Sequence, residues 1–306
     1  TATADPLVYT ATFTATAGFE GSGSVSVGAG SYTDAAGNPG GAGGDTVAID
    51  TAAPTPSITL AANITADDII DASEAGGNVA VTGTTTGARD GDVVTLTVNG
   101  TAFTGTVSGG AFSINVTGAA LAADADLTID ASVLATDAAG NSATATDSET
   151  YTVDTTAPSV TVDIVDAALN VADTSSNVTF TFSEAPVGFV VGDVTVSGGT
   201  LSAFTATADP LVYTATFTAT AGFEGSGSVS VGAGSYTDAA GNPGGAGGDT
   251  VAIDTSAPTP TITLAANITA DDIINAAEAG GNVAVTGTVT GAQDGDVVTL
   301  TVNGTD

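Results

Sequence analysis

Thr1–Thr51 recurs without a single change at Thr205–Thr255. This repetition constrains the fold more than any other feature, because self-similarity at a fixed period is the mark of a repeat architecture. The likeness continues past the identical part, where Ala52–Thr101 and Ser256–Thr305 differ at a few positions, among them Asp71/Asn275, Thr85/Val289 and Arg89/Gln293. The string Asp-Thr-x-Ala-Pro punctuates the chain at Asp50, Asp154 and Asp254. It splits each period into two units of about a hundred residues, an ordinary domain size. The expected organisation is the C-terminal half of a type A unit over 1–51, a complete type B unit over 52–155, a complete type A unit over 156–255 and the N-terminal half of a type B unit over 256–306. Such a pattern is expected of a segment taken from a longer array.

Both unit types read as strands. "SVTVDIV", "NVTFTF", "LVYTATFTA", "VVTLTVNG", "AFSINVTG" and "DTVAID" alternate apolar with polar residues and are rich in Val and Thr, the pattern of half-buried strands. Gly, Asn, Asp and Pro separate them. About seven short strands per unit, with no helical period, predict an all-β fold of tandem immunoglobulin-like β-sandwiches in an elongated end-to-end array. Phe180, Phe182, Tyr213 and Phe217 fall on the alternating pattern and are expected in the core. Asn99-Gly100 and Asn303-Gly304 read as hairpin turns.

Charge sets the next constraint. The chain has 34 acidic residues and one basic residue, Arg89, for a net charge of −33. High charge with few aromatics often means disorder, but 42% of the residues are apolar and they are spread through the strands, enough for small cores. Repulsion among the carboxylates opposes compaction unless cations screen or bind them. Nucleic acid is excluded as a partner, since nothing here neutralises phosphate. The chain has no Cys and no His, which removes disulfides, thiolate metal sites and the usual general base. No run of about 18 apolar residues is present, so no helical membrane span is expected.

Topology then places the carboxylates. In a seven-stranded sandwich entered at its top by the first strand, the second-to-third and sixth-to-seventh strand loops lie at the top. The first-to-second strand loop lies at the bottom. "DAAGN" falls between the sixth and seventh strands, hence at the top, and the closing Asp of each unit enters the following linker. One junction therefore gathers Asp154 with Asp67, Asp68, Asp71 and Glu74 from below, and Glu184, Asp193, Asp238 and Asn242 from above. Another gathers Asp50, Glu20, Asp90, Asp92, Asp137 and Asn141. A third gathers Asp254, Glu224, Asp294 and Asp296. Asp34 and Asn38 are expected as half of a further site. All these donors are oxygen, which suits the six to eight ligands of Ca2+ better than the strict octahedron of Mg2+ or the N and S preference of Zn2+. The competing reading is that DAAGN is simply a good turn, with Asp as an Asx-turn former and Gly at positive φ. Neither the EF-hand loop spacing nor a glycine-rich nonapeptide repeat is present.

On "TDAAGN", "VDTTAP", "IDTSAP", "ITADDIINAAEAGGNVAVTGTVTGAQDGDVVTLTVNG" and "FSEAPVGFVVGDVTVSGGT", the whole chain resembles the tandem immunoglobulin-like extender region of giant bacterial surface adhesins of the RTX and biofilm-associated type. The resemblance implies type I secretion, an extracellular place on the bacterial cell surface, and Ca2+ at domain junctions that stiffens a stalk. It carries over to Asp154, Asp238, Asn242 and their equivalents. The expected partners are adjacent domains of the same chain, with the adhesive ligand bound elsewhere in the full protein. The alternative function is that the repeats themselves bind glycan or neighbouring chains as a biofilm-matrix or surface-layer component; near-identity between copies argues against it. An enzyme is not expected: the pair Asp90 and Asp92 lacks the aromatic cleft of a glycosidase. Asn-x-Thr triplets at Asn63, Asn99, Asn115, Asn177, Asn267 and Asn303 are expected by chance in a Thr-rich chain.

Overall fold

β-Branched residues at alternate positions are stiff at χ1 and suit an extended pleat, and the inward half of each alternation supplies a core. In the computed structural model, which describes residue 5 and residues 7–302, the chain is all-β apart from short helical turns. It forms tandem immunoglobulin-like sandwiches and divides into two compact units. One comprises Thr1–Ala157 with Thr237–Asn242, and the other Pro158–Tyr236 with Pro243–Asp306. Asn303 and Gly304, the last expected triplet and turn, lie outside the described residues.

In the first unit, Glu20–Val27 and Gly43–Asp50 pair antiparallel, with Glu20 opposite Asp50. A sandwich follows. One sheet orders Ser57–Leu60, Asn78–Thr86 and Ala111–Thr117. The facing sheet orders Ser142–Thr150, Thr128–Thr136, Val93–Val98 and Thr101–Thr106. Val94, Leu96, Val98, Ile129 and Val133 are fully buried between them, as their alternation requires. Asn99 and Gly100 both take positive φ, 48° and 71°, the geometry of a two-residue hairpin turn whose twist matches the strands it joins. Asp147, on the four-stranded sheet, accepts from the backbone N–H of Leu60 at 2.8 Å. That bond ties the edge of one sheet to the other.

The absence of helical period does not exclude single helical turns, and the sandwich holds two, Ala72–Ala75 and Gly118–Ala122. Asp71 caps the first, with a reciprocal bond between Asp71 and Glu74, a capping box that satisfies donors the short helix leaves over. The two turns pack so closely that a Cβ on Gly118 would lie 1.8 Å from the Glu74 carbonyl oxygen. Only glycine fits there. Ile69–Ile70 runs parallel to Thr152–Val153, which holds the end of the sandwich against the linker Asp154.

The second unit repeats the plan with an aromatic core. Val160–Ile164, Ser175–Phe182, Val212–Ala219 and Gly199–Leu201 form one sheet, joined by Thr205–Ala206. Ala168–Asn170, Gly247–Asp254, Glu224–Val231 and Val194–Ser197 form the other. Phe180, Phe182 and Phe217 are buried as expected, and Tyr213 packs against them. Tyr236 meets Phe182 edge-on at 5.0 Å between centroids, and its one hydroxyl proton is shared between the carbonyls of Gly245 at 3.1 Å and Pro158 at 3.3 Å. Asp249 accepts from Ile164 N–H at 2.8 Å, repeating the Asp147 closure. In the same unit Thr261–Leu264 pairs antiparallel with Gly287–Thr290. Among the described residues no helix is long and apolar enough to cross a membrane.

Candidate metal centre

The Asp-Ala-Ala-Gly-Asn turn has one internal wiring in all three copies. Asp34 Oδ1 accepts from the backbone N–H of Asn38, and Asp34 Oδ2 accepts from the Asn38 amide. The same two bonds recur for Asp137 with Asn141 and for Asp238 with Asn242, at 2.9 and 2.8 Å. The glycine sits at positive φ each time, 86° at Gly37, 91° at Gly140 and 92° at Gly241, a region side chains with a Cβ seldom adopt. The side-chain amide of Asn38 holds the Asp34 carboxyl below its ordinary range, and Asn141 does the same for Asp137. This is the good turn that its residues predict.

The linker aspartates share a second motif. Asp50, Asp154 and Asp254 each accept from the backbone N–H two residues on, at 3.1, 3.1 and 3.2 Å. These Asx-turns fix the first bend of the linker and use one carboxylate oxygen, leaving the other for a second partner.

What distinguishes the three turns is their surroundings. Asp34 and Asn38 are exposed. Asn141 reaches across to the linker, with Nδ2 at 3.3 Å from the Asp50 carbonyl oxygen and 3.4 Å from its Oδ1. Asp238 and Asn242 are 3% and 1% exposed, and the turn that carries them, Thr237–Asn242, belongs to the first unit. There Asn242 Nδ2 donates to the Asp154 carbonyl oxygen at 2.8 Å, and Asn242 Oδ1 accepts from Ala72 N–H at 2.8 Å. Carboxylate oxygens of Asp154 and Asp238 lie within 4.8 Å of each other.

Burying a carboxylate costs several kcal/mol unless it is paired, and the chain's one basic residue, Arg89, is an exposed residue of the loop between Asn78–Thr86 and Val93–Val98. Hydrogen bonds from Asn242 satisfy Asp238 in part, but no cationic side chain answers its charge. Glu74, next to the Asp71 cap, is half-buried. Burial pushes its carboxyl above the ordinary range, and the charges of Asp71 and Asp67 add to the shift, against the lowering effect of Asp71 N–H. The donor set is all oxygen, which fits a hard cation that takes many oxygen ligands.

Backbone N–H groups engage most of the remaining expected residues. Asp67 accepts from Ile69 N–H and Asp68 from Ile64 N–H, each within its own loop. Asp71 caps the Ala72–Ala75 turn. Asp90 accepts from Gly109 N–H, and Asp92 from Arg89 and Thr136 N–H. Glu20 stands opposite Asp50, and Glu224 opposite Asp254, in strand register. Asp193 accepts from Val190 N–H and Asp296 from Gln293 N–H, while Asp294 is exposed. Glu184 is half-buried just beyond Ser175–Phe182 in the second unit. Among the described residues, neither the set around Asp50 nor the set around Asp254 brings three carboxylates within 4.8 Å of one another; the acidic group that meets this distance is centred on Asp154 and Asp238. Two sets of contacts that shape the fold carry no sequence signal. One is the Ala72 backbone N–H, which any residue would supply. The other is the pair Asp147 and Asp249, which looks like ordinary strand surface.

The profile of the bacterial Ig-like domain family matches residues 1–52 and 154–255. Among solved structures, one from a 1.5-MDa bacterial ice-binding adhesin, studied for host cell surface retention, is 35% identical over 78% of this chain and 77% of that chain, with a TM-score of 0.50. Another, from a Ca2+-stabilized adhesin that helps an Antarctic bacterium reach out and bind ice, is 36% identical over 85% of this chain and 63% of that chain, with a TM-score of 0.52. No curated protein matches the sequence.

Proposed function

Because the chain belongs to the bacterial Ig-like domain family, we propose that it is an extender segment of a bacterial surface adhesin, stiffened by Ca2+ bound where one domain follows another. The observation that carries this reading is the approach of Asp154 and Asp238 in a chain whose only basic residue is elsewhere. In this proposal those two carboxylates hold the ion, and Glu184, which the sequence pattern assigns to the same junction, supplies a third. Asp50, Asp137 and Asn141 serve the preceding junction in the same way, and Asp254 the following one. The ion supplies positive charge that offsets the repulsion between carboxylates the chain already holds close. The chain's own contribution is to orient them, through the Asx-turn at each linker and the Asp–Asn wiring of each turn.

The mechanism is linkage. An ion that binds only the assembled junction stabilises it by about RT ln(1 + [Ca2+]/Kd), or roughly 2.7 kcal/mol at a hundredfold excess over Kd. The role is mechanical, with the segment exported to the cell surface by type I secretion and the adhesive ligand bound elsewhere in the full protein. Small-angle scattering of the chain in Ca2+ and in chelator tests the proposal. The expected result is a greater maximum dimension and a narrower distribution of lengths with Ca2+; equal profiles in both conditions contradict it.

A further inference from the structure

The Asn242 side chain is more than one limb of a turn. Its amide makes three bonds of 2.8 Å to three separate pieces of chain: Nδ2 donates to the Asp238 carboxylate and to the Asp154 carbonyl oxygen, and Oδ1 accepts from Ala72 N–H. Both amide hydrogens are used, the residue is 1% exposed, and its own backbone N–H goes to Asp238 Oδ1 at 2.9 Å. The two other turns lack this arrangement. Asn38 keeps the bond to its own Asp34 while lying exposed. Asn141 keeps its own and reaches Asp50 at 3.3 Å or more.

We propose that Asn242 is a metal-independent latch. It positions the linker Asp154, the Asp238 turn and the start of the Ala72–Ala75 turn as one piece before any cation arrives. Asn242 is then a positioning residue, and the carboxylates around it are pre-arranged rather than gathered by the ion. The chemistry is that of a buried amide with donors and acceptor all matched. Such a network rigidifies when complete and loses the full desolvation cost of each orphaned group when broken. The latch goes beyond the cation proposal and does not depend on it.

The chain contains its own control. Asn38→Ala and Asn242→Ala remove the same Asp–Asn bond from the same local sequence, but only Asn242→Ala frees Ala72 N–H and the Asp154 carbonyl. The measurement is amide hydrogen exchange of the full chain in chelator, read at Ala72 and, as an internal reference, at Val178 and Phe180 in the buried core. The expected result is protection at Ala72 in the wild type and in Asn38→Ala. In Asn242→Ala it should exchange roughly five- to tenfold faster, the equivalent of one lost hydrogen bond, with the reference amides unchanged. If Asn242→Ala disturbs the whole unit, Asn242→Asp answers the same question. It keeps an acceptor for Ala72 but has no donor for the Asp154 carbonyl, so Ala72 stays protected while the junction loses stability against the wild type in chelator. Equal exchange at Ala72 in Asn242→Ala and the wild type, free exchange at Ala72 in the chelated wild type, or wild-type stability in Asn242→Asp overturns the proposal. Because every arm is run without metal, none of these outcomes bears on whether Ca2+ binds.

Discussion

Thr205–Thr255 and Thr1–Thr51 have one sequence and two fates. In the second copy Phe217 and Tyr236 are 0% and 2% exposed, whereas their counterparts Phe13 and Tyr32 are 49% and 57% exposed. Yet the strand register is the same: Glu224 faces Asp254 as Glu20 faces Asp50, and so on along both pairs. The turn wiring is the same too, down to the bonds between Asp34 and Asn38 and between Asp238 and Asn242. The copies differ in what covers them. The second is faced by the sheet containing Val160–Ile164 and Ser175–Phe182; the first, among the described residues, has no counterpart over it. Register and turn geometry are therefore local properties of this sequence, and burial is conferred by the other half of the sandwich.

Paired substitutions break the comparison most sharply in the core. Phe217→Ala should cost about 3–5 kcal/mol, the usual loss for emptying a buried phenyl site, while Phe13→Ala should stay within about 0.5 kcal/mol. Urea unfolding of the two variants, followed by tyrosine fluorescence, checks it, and similar losses at both positions would show that the first copy is covered in solution. A smaller contrast is expected at the sheet closure. Asp249 and Asp45 each accept from the next residue's N–H, but only Asp249 also accepts from Ile164 N–H. Asp249→Ala should cost about 1–3 kcal/mol for the orphaned buried donor, and Asp45→Ala should be near neutral.

The smallest effect lies in the turns and should not distinguish the copy at Asp34 from the copy at Asp137. Asp34 and Asp137 both have carboxyls held below the ordinary range, first by the amide of Asn38 or Asn141. A depressed folded-state pKa means a contribution to stability that is present above the unfolded value, about 3.9. That contribution is lost as pH falls through the folded value. Carboxyl 13C titration should give midpoints below the usual Asp range for both, and Asn38→Ala and Asn141→Ala should move them back up. Glu74 has the opposite sign. Its raised pKa, set mainly by burial, means stability that is present at low pH and lost as pH rises through the folded value. Glu74→Gln should flatten that dependence in a pH series of melting curves.

The same logic explains how much was legible beforehand. Strands such as Val93–Val98 and Ser175–Phe182 announce themselves because alternation is a local signal, and Asn99-Gly100 marks its hairpin for the same reason. Four helical residues at Ala72–Ala75 are too few to show a period, although Asp71 and Glu74 spell the capping box that forms there. The candidate site was half legible. Topology places Asp154, Asp238 and Asn242 in one group with Asp67, Asp68, Asp71, Glu74, Glu184 and Asp193, and in the structure Asn242 bonds both to Asp238 and to the Asp154 carbonyl. Asp67 and Asp68, which topology groups with them, and Asp90 and Asp92, which it groups with Asp50, carry the same signal, because a turn and a cation make the same demand on an Asp side chain. Apart from the Thr65 hydroxyl that also donates to Asp67, the donors those four accept from are backbone N–H groups, which have no signature in the sequence.

The identical copies also provide the most direct test of the cation claim. Calorimetric titration of the chelator-treated chain with Ca2+ should be compared between the wild type, Asp238→Ala and Asp34→Ala. The buried turn is expected to lose its ion or to weaken at least tenfold, about 1.4 kcal/mol, in Asp238→Ala, while Asp34→Ala, with the same local sequence in the open, leaves that binding event as in the wild type. Unchanged stoichiometry and affinity in Asp238→Ala would contradict a junctional ion held by Asp154 and Asp238.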